Sequence, residues 1–450
     1  MKENKLNIAI IGAGVAGLTA AYELTKDAHR VVVYEASDEV GGLASGFKDE
    51  GWEWPLERFY HHWFASDDAV IGLIEELGVS DRLFFRWPTT SLYHQGQIYP
   101  LDSPIPWLKF LPVSQVHRAV RVLQFTPLPF VDRLRVGLSA FYLTLTKDWR
   151  PLERTTAHEW MSRMVGERAY NLWWKPLLVG KFGDYYQDVN MAWLWARAYK
   201  RTAHLGYFVG GFQAFADVLA EAVRSQGADI RLKAPIGAIE ALPEGGLMVR
   251  APGGDESFDR VIATISPGLL ARLTPALPDT YLEGLRQLKS MGAVVLILAL
   301  KQQLTDGHYW VNLPKDEGFP FLALVEHTNY IDAKHYSGDH LVYCGDYLKP
   351  DHEYFSLSHA ELLERFLPAL ARFNPNFKPE WVRKSWLFRE KYAQPVPPLN
   401  HSRNIPDLAT PVPGLYWASM SQVYPWDRGT NYAVEIGQQV ARRAVESVGG

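Results

Sequence analysis

Cysteine is nearly missing from this chain: Cys344 is the only one in 450 residues. A single thiol excludes an intrachain disulfide and any cysteine-based metal cluster, and it fits a reducing compartment such as the cytoplasm. Long apolar runs are missing too. No segment approaches the roughly twenty apolar residues of a membrane-spanning helix. The start, MKENKLNIAIIGAG, lacks the apolar core and small-residue cleavage site of a secretion signal. Nor is there an excess of positive charge. Lys and Arg number 46 against 50 Asp and Glu, a net charge of −4, so no global field favours nucleic acid.

Aromatic residues, by contrast, are plentiful: 16 Trp, 22 Tyr and 21 Phe in a chain that is 47% apolar. That content supplies a large core over two or three lobes and suggests an aromatic-lined cavity.

The most informative stretch lies near the N-terminus. Leu6 to Ile11 is an apolar run of the kind a parallel strand buried on both faces requires, and Gly12-Ala13-Gly14-Val15-Ala16-Gly17 follows at once. In such a G-x-G-x-x-G turn Gly12 permits the tight bend and Gly14 admits a pyrophosphate to the backbone. Gly17 lets the helix starting near Val15 pack on the strand. The helix N-terminus then offers free N–H groups to the anion. A second strand, Val31 to Tyr34, ends in Glu35 and Ala36, where the acid can accept hydrogen bonds from ribose hydroxyls. A carboxylate there repels a 2′-phosphate, so FAD or NAD fits better than NADP.

A second glycine pair, Gly41-Gly42-Leu43-Ala44, comes soon after, and an NAD enzyme has no need of it. From here the chain resembles the superfamily of FAD-containing amine oxidases, protoporphyrinogen oxidases and carotenoid desaturases. The resemblance implies that Gly41 to Ala44 approach the diphosphate and flavin. It places Glu53 to Phe64 beside the isoalloxazine, with Arg58 neutralising the pyrophosphate or a substrate anion and Phe59, Tyr60 and His61 walling the ring. That stretch is also similar to the flavin-adjacent segment of UDP-galactopyranose mutases. Further on, Gly210-Gly211 opens a helix, and Ile236 on a strand from Pro235 to Ile239 falls where relatives support the adenine. Near the end, Gly414 to Met420 and Trp426 to Ala433 resemble the family's last strand and helix, which put backbone N–H groups against the flavin C2 carbonyl. Ser419, Met420, Asp427, Gly429 and Ala433 belong to this block, with Thr430 and Asn431 as donors. Two departures stand out. Met420 replaces an acid found in many relatives, with Asp427 as its substitute or an active-site residue. Val295 or Leu296 replaces the lysine that holds a water near flavin N5 in amine oxidases.

Other segments read as follows. A helix over Asp67 to Leu77 takes Ser66 as N-cap, and Gln95-Gly96 turns a short hairpin that joins the substrate-side sheet. From about Pro104 to His204 the chain is helical. Pro106, Pro112 and Pro127 break it, and Arg118, Arg121, Arg133 and Arg135 lie among bulky apolar residues, a mixture suited to peripheral contact with a membrane. Within this lobe Trp173, Trp174, Lys175, Lys181 and Phe182 are candidates for substrate contacts, with Arg197 and Arg201 on the next helix. Residues 280–390 read as a helix and an antiparallel sheet. His61-His62 is not a metal pair, because adjacent side chains on a strand point apart and no third ligand is apparent; no metal is expected.

These blocks predict an α/β protein: a Rossmann-like, doubly wound, mostly parallel FAD domain interrupted by an α+β substrate domain with an antiparallel sheet and a helical lobe. The FAD domain takes residues 1–65, 206–278 and 400–450, the substrate sheet 66–103 and 279–399, and the helical lobe 104–205. The expected activity is removal of hydride from a C–N or C–C bond of a bulky, mostly apolar small molecule. FAD is expected to be noncovalent, since Cys344 lies far from the position of covalent attachment in amine oxidases. His61, Tyr60, Lys175, Tyr392 and Asp427 are the catalytic candidates. A redox-neutral isomerase acting on a nucleotide sugar or polyene is the alternative, and a FAD-binding protein with a membrane or partner role the third.

Overall fold

The computed structural model describes residues 5–104 and 114–446. Pro106 and Pro112, and the side chain of Arg118, lie outside the described residues. The first strand, Asn7–Ile11, sits in the middle of a five-stranded sheet ordered Asp229–Arg231, Arg30–Tyr34, Asn7–Ile11, Arg260–Ala263, Leu415–Trp417, with every pair parallel. Its side chains alternate. Ile8 and Ile10 enter the core beneath the helices Val15–Lys26 and Thr430–Glu446, and Ala9 and Ile11 enter the core on the opposite face. Both faces are covered, which is why the strand is apolar throughout.

The C-terminal helix Thr430–Glu446 crosses Val15–Lys26 closely because Gly437 has no side chain; a Cβ there would lie 2.5 Å from the Ala16 carbonyl oxygen. Residues more than 400 positions apart in the chain thereby frame one end of the sheet.

The second sheet has seven strands, ordered Val382–Pro395, Ser290–Leu300, His340–Leu348, Ala323–Glu326, His308–Asn312, Thr89–His94, Gln97–Asp102. The hairpin at Gln95-Gly96 forms its edge. The strands from residues 280–390 pair antiparallel throughout, as expected, and the one parallel pair joins His308–Asn312 to Thr89–His94 of the earlier segment. These two strands come from separate insertions, so no hairpin dictates their sense. On Ser290–Leu300, Val294, Leu296 and Leu298 pack into the core shared with the helix His359–Leu370, and Ala293 and Val295 face the other way.

Several boundaries differ from the sequence reading. The helix expected after Ser66 starts at Asp68 with Asp67 as N-cap, because the Ser66 hydroxyl donates instead to the Lys200 carbonyl. The strand expected from Pro235 starts at Ala238, since Pro235 has no N–H to give a ladder. A small sheet went unread: Leu205–Phe208 lies between Trp63–Phe64 and Leu83–Arg86. In the helical lobe a π-turn over Tyr170–Trp174 runs directly into the helix Lys175–Phe182. No helix of the described residues is long and apolar enough to cross a membrane.

Candidate active site

A cavity of about 520 Å³ runs from the glycine turn to the seven-stranded sheet. At one end Gly12, Gly14, Val15 and Ala16 line it, joined by Glu35, Ala36 and Ile236. Gly14 is the N-cap of Val15–Lys26 and brings no side chain, and the first turn carries no acid, so the free N–H groups there are open to an anion. The second glycine turn, Gly41, Gly42, Leu43 and Ala44, also lines the cavity and touches the first. The Gly41 N–H donates to the Ala13 carbonyl at 2.9 Å, and a Cβ on Gly42 would come within 3.1 Å of Gly14 Cα. Ala13 and Gly17 stand behind this wall. Ala13 is fully buried, and Gly17 packs against Gly12.

At the other end Phe59, Tyr60, His61 and Tyr392 form an aromatic wall, with Ser419, Met420, Gly429, Thr430 and Ala433 from the C-terminal block. The Trp63 indole N–H donates to Thr430 Oγ1 at 2.6 Å, holding the helix start against the segment that carries Tyr60. Burial pushes the His61 imidazole down to about 4 and that of His62 to about 3, so both are neutral at pH 7. His61 Nδ1 lies 2.5 Å from the Phe59 carbonyl oxygen, which can only accept, so the proton sits on Nδ1. The Tyr392 hydroxyl is 2.7 Å from Ser421 Oγ and receives the Ser421 N–H at 3.0 Å; burial raises its pKa. Neither residue is a strong base. Of the two positions weighed for the missing lysine, Val295 faces the cavity and Leu296 the opposite core.

Four expected residues fall off the wall. Arg58 pairs with Glu39 and lies 5.8 Å from the Phe388 ring, and its buried Nε has no partner among the described residues. Lys175 begins its helix on a different face from Lys181, six positions on, and it is Lys181 that reaches Tyr347, 5.1 Å from the ring centroid. The Asn431 side chain accepts the Val70 N–H at 3.1 Å and donates to Glu435, so only its backbone N–H at the helix start is left for the expected donor role. Asp427 sits behind the wall in a buried ionic cluster. It pairs with Arg197, lies 3.6 Å from Lys181, and accepts from the Trp193 indole at 3.1 Å and from Gln394 at 3.2 Å. Trp193 and Arg197 reach it together because i and i+4 share a helix face on Met191–Lys200. Burial alone would raise the Asp427 carboxyl, but Lys181, Arg197 and Arg428 hold it well below the usual range.

The structure adds groups that the sequence reading passed over. Arg428, immediately before Gly429, lines the cavity and donates to the Tyr347 hydroxyl. Its place in a motif already read as flavin-adjacent was the available signal. Asp346 and Glu390 also line the wall, and Lys315 holds both Asp346 oxygens at 2.9 Å. Glu57, 1% exposed, accepts from the Tyr207 hydroxyl and from the Phe212 N–H at 2.8 Å. It anchors the strand that leads into Phe59 and Tyr60. Among the described residues no group of His, Cys, Asp and Glu is arranged to hold a metal ion.

A parallel sheet with a glycine turn and a ribose-type acid, sharing its cavity with a mixed sheet, is the arrangement of a dinucleotide-binding α/β protein. The family model described as flavin-containing amine oxidoreductase matches residues 15–445, and the chain belongs to that family. The soybean (Glycine max) 15-cis-phytoene desaturase is 39% identical over 172 residues, 36% of this chain and 29% of that protein. The chain thus matches less than a third of that relative's length. Among solved structures, an Exiguobacterium sp. 255-15 protein provisionally assigned as a protoporphyrinogen oxidase superposes with a TM-score of 0.76 at 18% identity over 99% of both chains. A reduced UDP-galactopyranose mutase does so with 0.73 at 17% identity, over 99% of this chain and 97% of that one. At these identities the two superpositions establish the fold.

Proposed function

We propose that this protein is an oxidoreductase that holds FAD noncovalently and removes hydride from a C–N or C–C bond of a bulky, mostly apolar substrate. The observation that carries the reading is the single cavity joining a dinucleotide-type end, with Gly12, Gly14 and Glu35, to an aromatic end, with Phe59, Tyr60 and Tyr392. The residues present fit a flavin dinucleotide. Two side-chain-free turns meet at a helix N-terminus, an acid stands beside them, and a second helix start, at Thr430, opens on the same space. Bound there, the flavin supplies the hydride acceptor.

The chain's own part is positioning and exclusion of water. Gly12 to Ala16 and Gly41 to Ala44 would receive the diphosphate, Glu35 the ribose, and Ile236 the adenine. The N-terminus of Thr430–Glu446 favours negative charge next to it. Phe59, Tyr60 and Val295 give a substrate apolar surface, and neutral His61 and Tyr392 offer hydrogen bonds rather than proton abstraction. Noncovalent binding is supported by Cys344, which is fully buried on the strand face opposite the cavity.

A lipid surface as the source of an apolar substrate is supported by the helix Phe130–Leu145. Phe130, Val131, Leu134, Leu138, Phe141 and Leu145 are all exposed on it, Leu138 by 69%. Arg135 is the one charged residue among the helix's exposed positions, and Lys147 follows the helix, while Arg150 pairs with Asp148.

The test is spectroscopic. The purified protein should be yellow, release FAD on denaturation, and lose its visible flavin band on anaerobic mixing with amine, polyene or porphyrinogen donors. Product formed without net bleaching would assign instead a redox-neutral isomerase. Protein that stays colourless after reconstitution would end the flavin reading.

A further inference from the structure

We propose that Arg428 is the docking point for an acidic group, a carboxylate or a phosphate, carried by the substrate. This rests on the flavin-site reading and adds a charge requirement to it: the substrate is amphiphilic, with an acid at one end of its apolar body.

Arg428 stands on the cavity wall with Tyr60 and Tyr347. One terminal nitrogen donates to the Tyr347 hydroxyl, and the guanidinium lies 5.1 Å from that ring's centroid. Its Nε is buried and has no hydrogen-bond partner among the described residues. Arginine keeps its charge when buried, and the single bond to Tyr347 leaves terminal N–H groups of the guanidinium for an acceptor in the cavity.

The protein's own carboxylates do not meet it. Asp427, next in sequence, is shared by Arg197, Lys181, Trp193 and Gln394. Both oxygens of Asp346 are held by Lys315, and Glu390 Oε1 accepts the Tyr392 N–H at 3.0 Å. Among the described residues no carboxylate lies within ion-pair distance of Arg428. Arg197, Arg428 and Lys181, whose ammonium burial and the two arginines push well below its ordinary range, gather around Asp427, and Glu390 stands on the same wall. A planar fork beside a cavity is suited to bidentate capture of a carboxylate or phosphate. The partner on which Arg428 leans, Tyr347, belongs to the inserted sheet, whereas the two glycine turns contact each other and Thr264. The charge thus faces the substrate's lobe rather than the diphosphate end.

The experiment uses the holoprotein and three probes of one size: benzoate, phenyl phosphate and the neutral isostere benzamide. Binding is read from perturbation of the flavin spectrum and by calorimetry. At least one acid should bind about tenfold or more tighter than benzamide, with an affinity that falls as salt rises. Which acid is preferred separates a carboxylate from a phosphate substrate. Arg428→Met should abolish the preference, Arg428→Lys should retain part of it, and Tyr347→Phe, which frees the guanidinium from its anchor, should weaken it. Equal binding of benzamide and both acids to the unaltered protein overturns the proposal without recourse to any variant. So does an Arg428→Met protein that keeps the preference, or one that purifies without flavin, which would give the guanidinium to the cofactor. Because no turnover is required, a protein that binds acids but is never bleached would sink the oxidoreductase reading and leave this one standing.

Discussion

Glu35 Oε2 accepts the backbone N–H of Ala13 at 2.7 Å, which ties the acid ending the second strand to the first glycine turn. Its other oxygen takes the N–H and the hydroxyl of Ser37 at 2.9 and 3.0 Å. A carboxylate has about four acceptor positions, so three bonds fix its orientation and still leave capacity on the cavity side. Glu35→Ala should weaken FAD binding by about 10- to 100-fold, the worth of a charge-assisted hydrogen bond, as read by flavin fluorescence on titrating apoprotein. Unchanged affinity would remove Glu35 from the site.

Two glycines of the same turn should behave differently. A Cβ on Gly17 would lie 2.0 Å from the Gly12 carbonyl oxygen, whereas one on Gly14 meets nothing nearer than Gly42 Cα at 3.9 Å. Gly17→Ala should therefore destabilise the fold by about 1–3 kcal/mol or more. Gly14→Ala should melt near the parent temperature but bind FAD less well, because its methyl group narrows the approach to the backbone. Thermal melts with and without FAD separate the two.

Burial pushes the Glu57 carboxyl up to about 7, an effect only partly offset by the Phe212 N–H and the Tyr207 hydroxyl. In the unfolded chain it ionises near 4.5. Below that value both states hold the proton and the contribution is complete. As pH rises to about 7 only the unfolded state releases it, so about 3 kcal/mol of stability is lost across the window. Glu57→Gln should abolish this slope. Buried His61 and His327, held down at about 4 and about 3, act in the opposite sense below their ordinary range, so the informative quantity is the difference in urea midpoint between variant and parent at each pH.

Asp427 neutralises a mostly buried cluster of two cations. Asp427→Ala strips Arg197 and Lys181 of their shared carboxylate and should cost about 1–3 kcal/mol, the penalty of leaving charged groups unpaired at a partly exposed site. Lys181→Met should cost less, since Arg197 retains the acid. Chemical denaturation of both variants checks the order.

Leu138→Glu with Phe141→Glu should abolish cosedimentation with anionic phospholipid vesicles while leaving the melting temperature nearly unchanged, because both side chains are exposed. Vesicle binding equal to the parent's would show that the Phe130–Leu145 face serves something else.

Much of the cofactor end was legible before any coordinates. Strand, turn, helix and acid follow one another within residues 6 to 36, and each is encoded by local spacing: apolar run, glycines, second apolar run, Glu35. The same holds for the second glycine pair and for Thr430 at a helix start. What spacing left open is the direction of long polar side chains. Arg58, Lys175 and Asp427 stand in motifs next to the cavity, yet their direction depends on partners such as Glu39 and Arg197, which no spacing reveals.

By itself, then, the sequence determined a dinucleotide-binding α/β fold and the family to which it belongs, because those features are written in periodicity and in glycines whose tasks are local. Only the tertiary structure decided which charges are spent and which are left over. Glu57 finds Tyr207 across 150 residues, and Arg428 finds Tyr347 across 81. Whether a buried charge is satisfied depends on what chain folding brings beside it, and that is a property of the packed core.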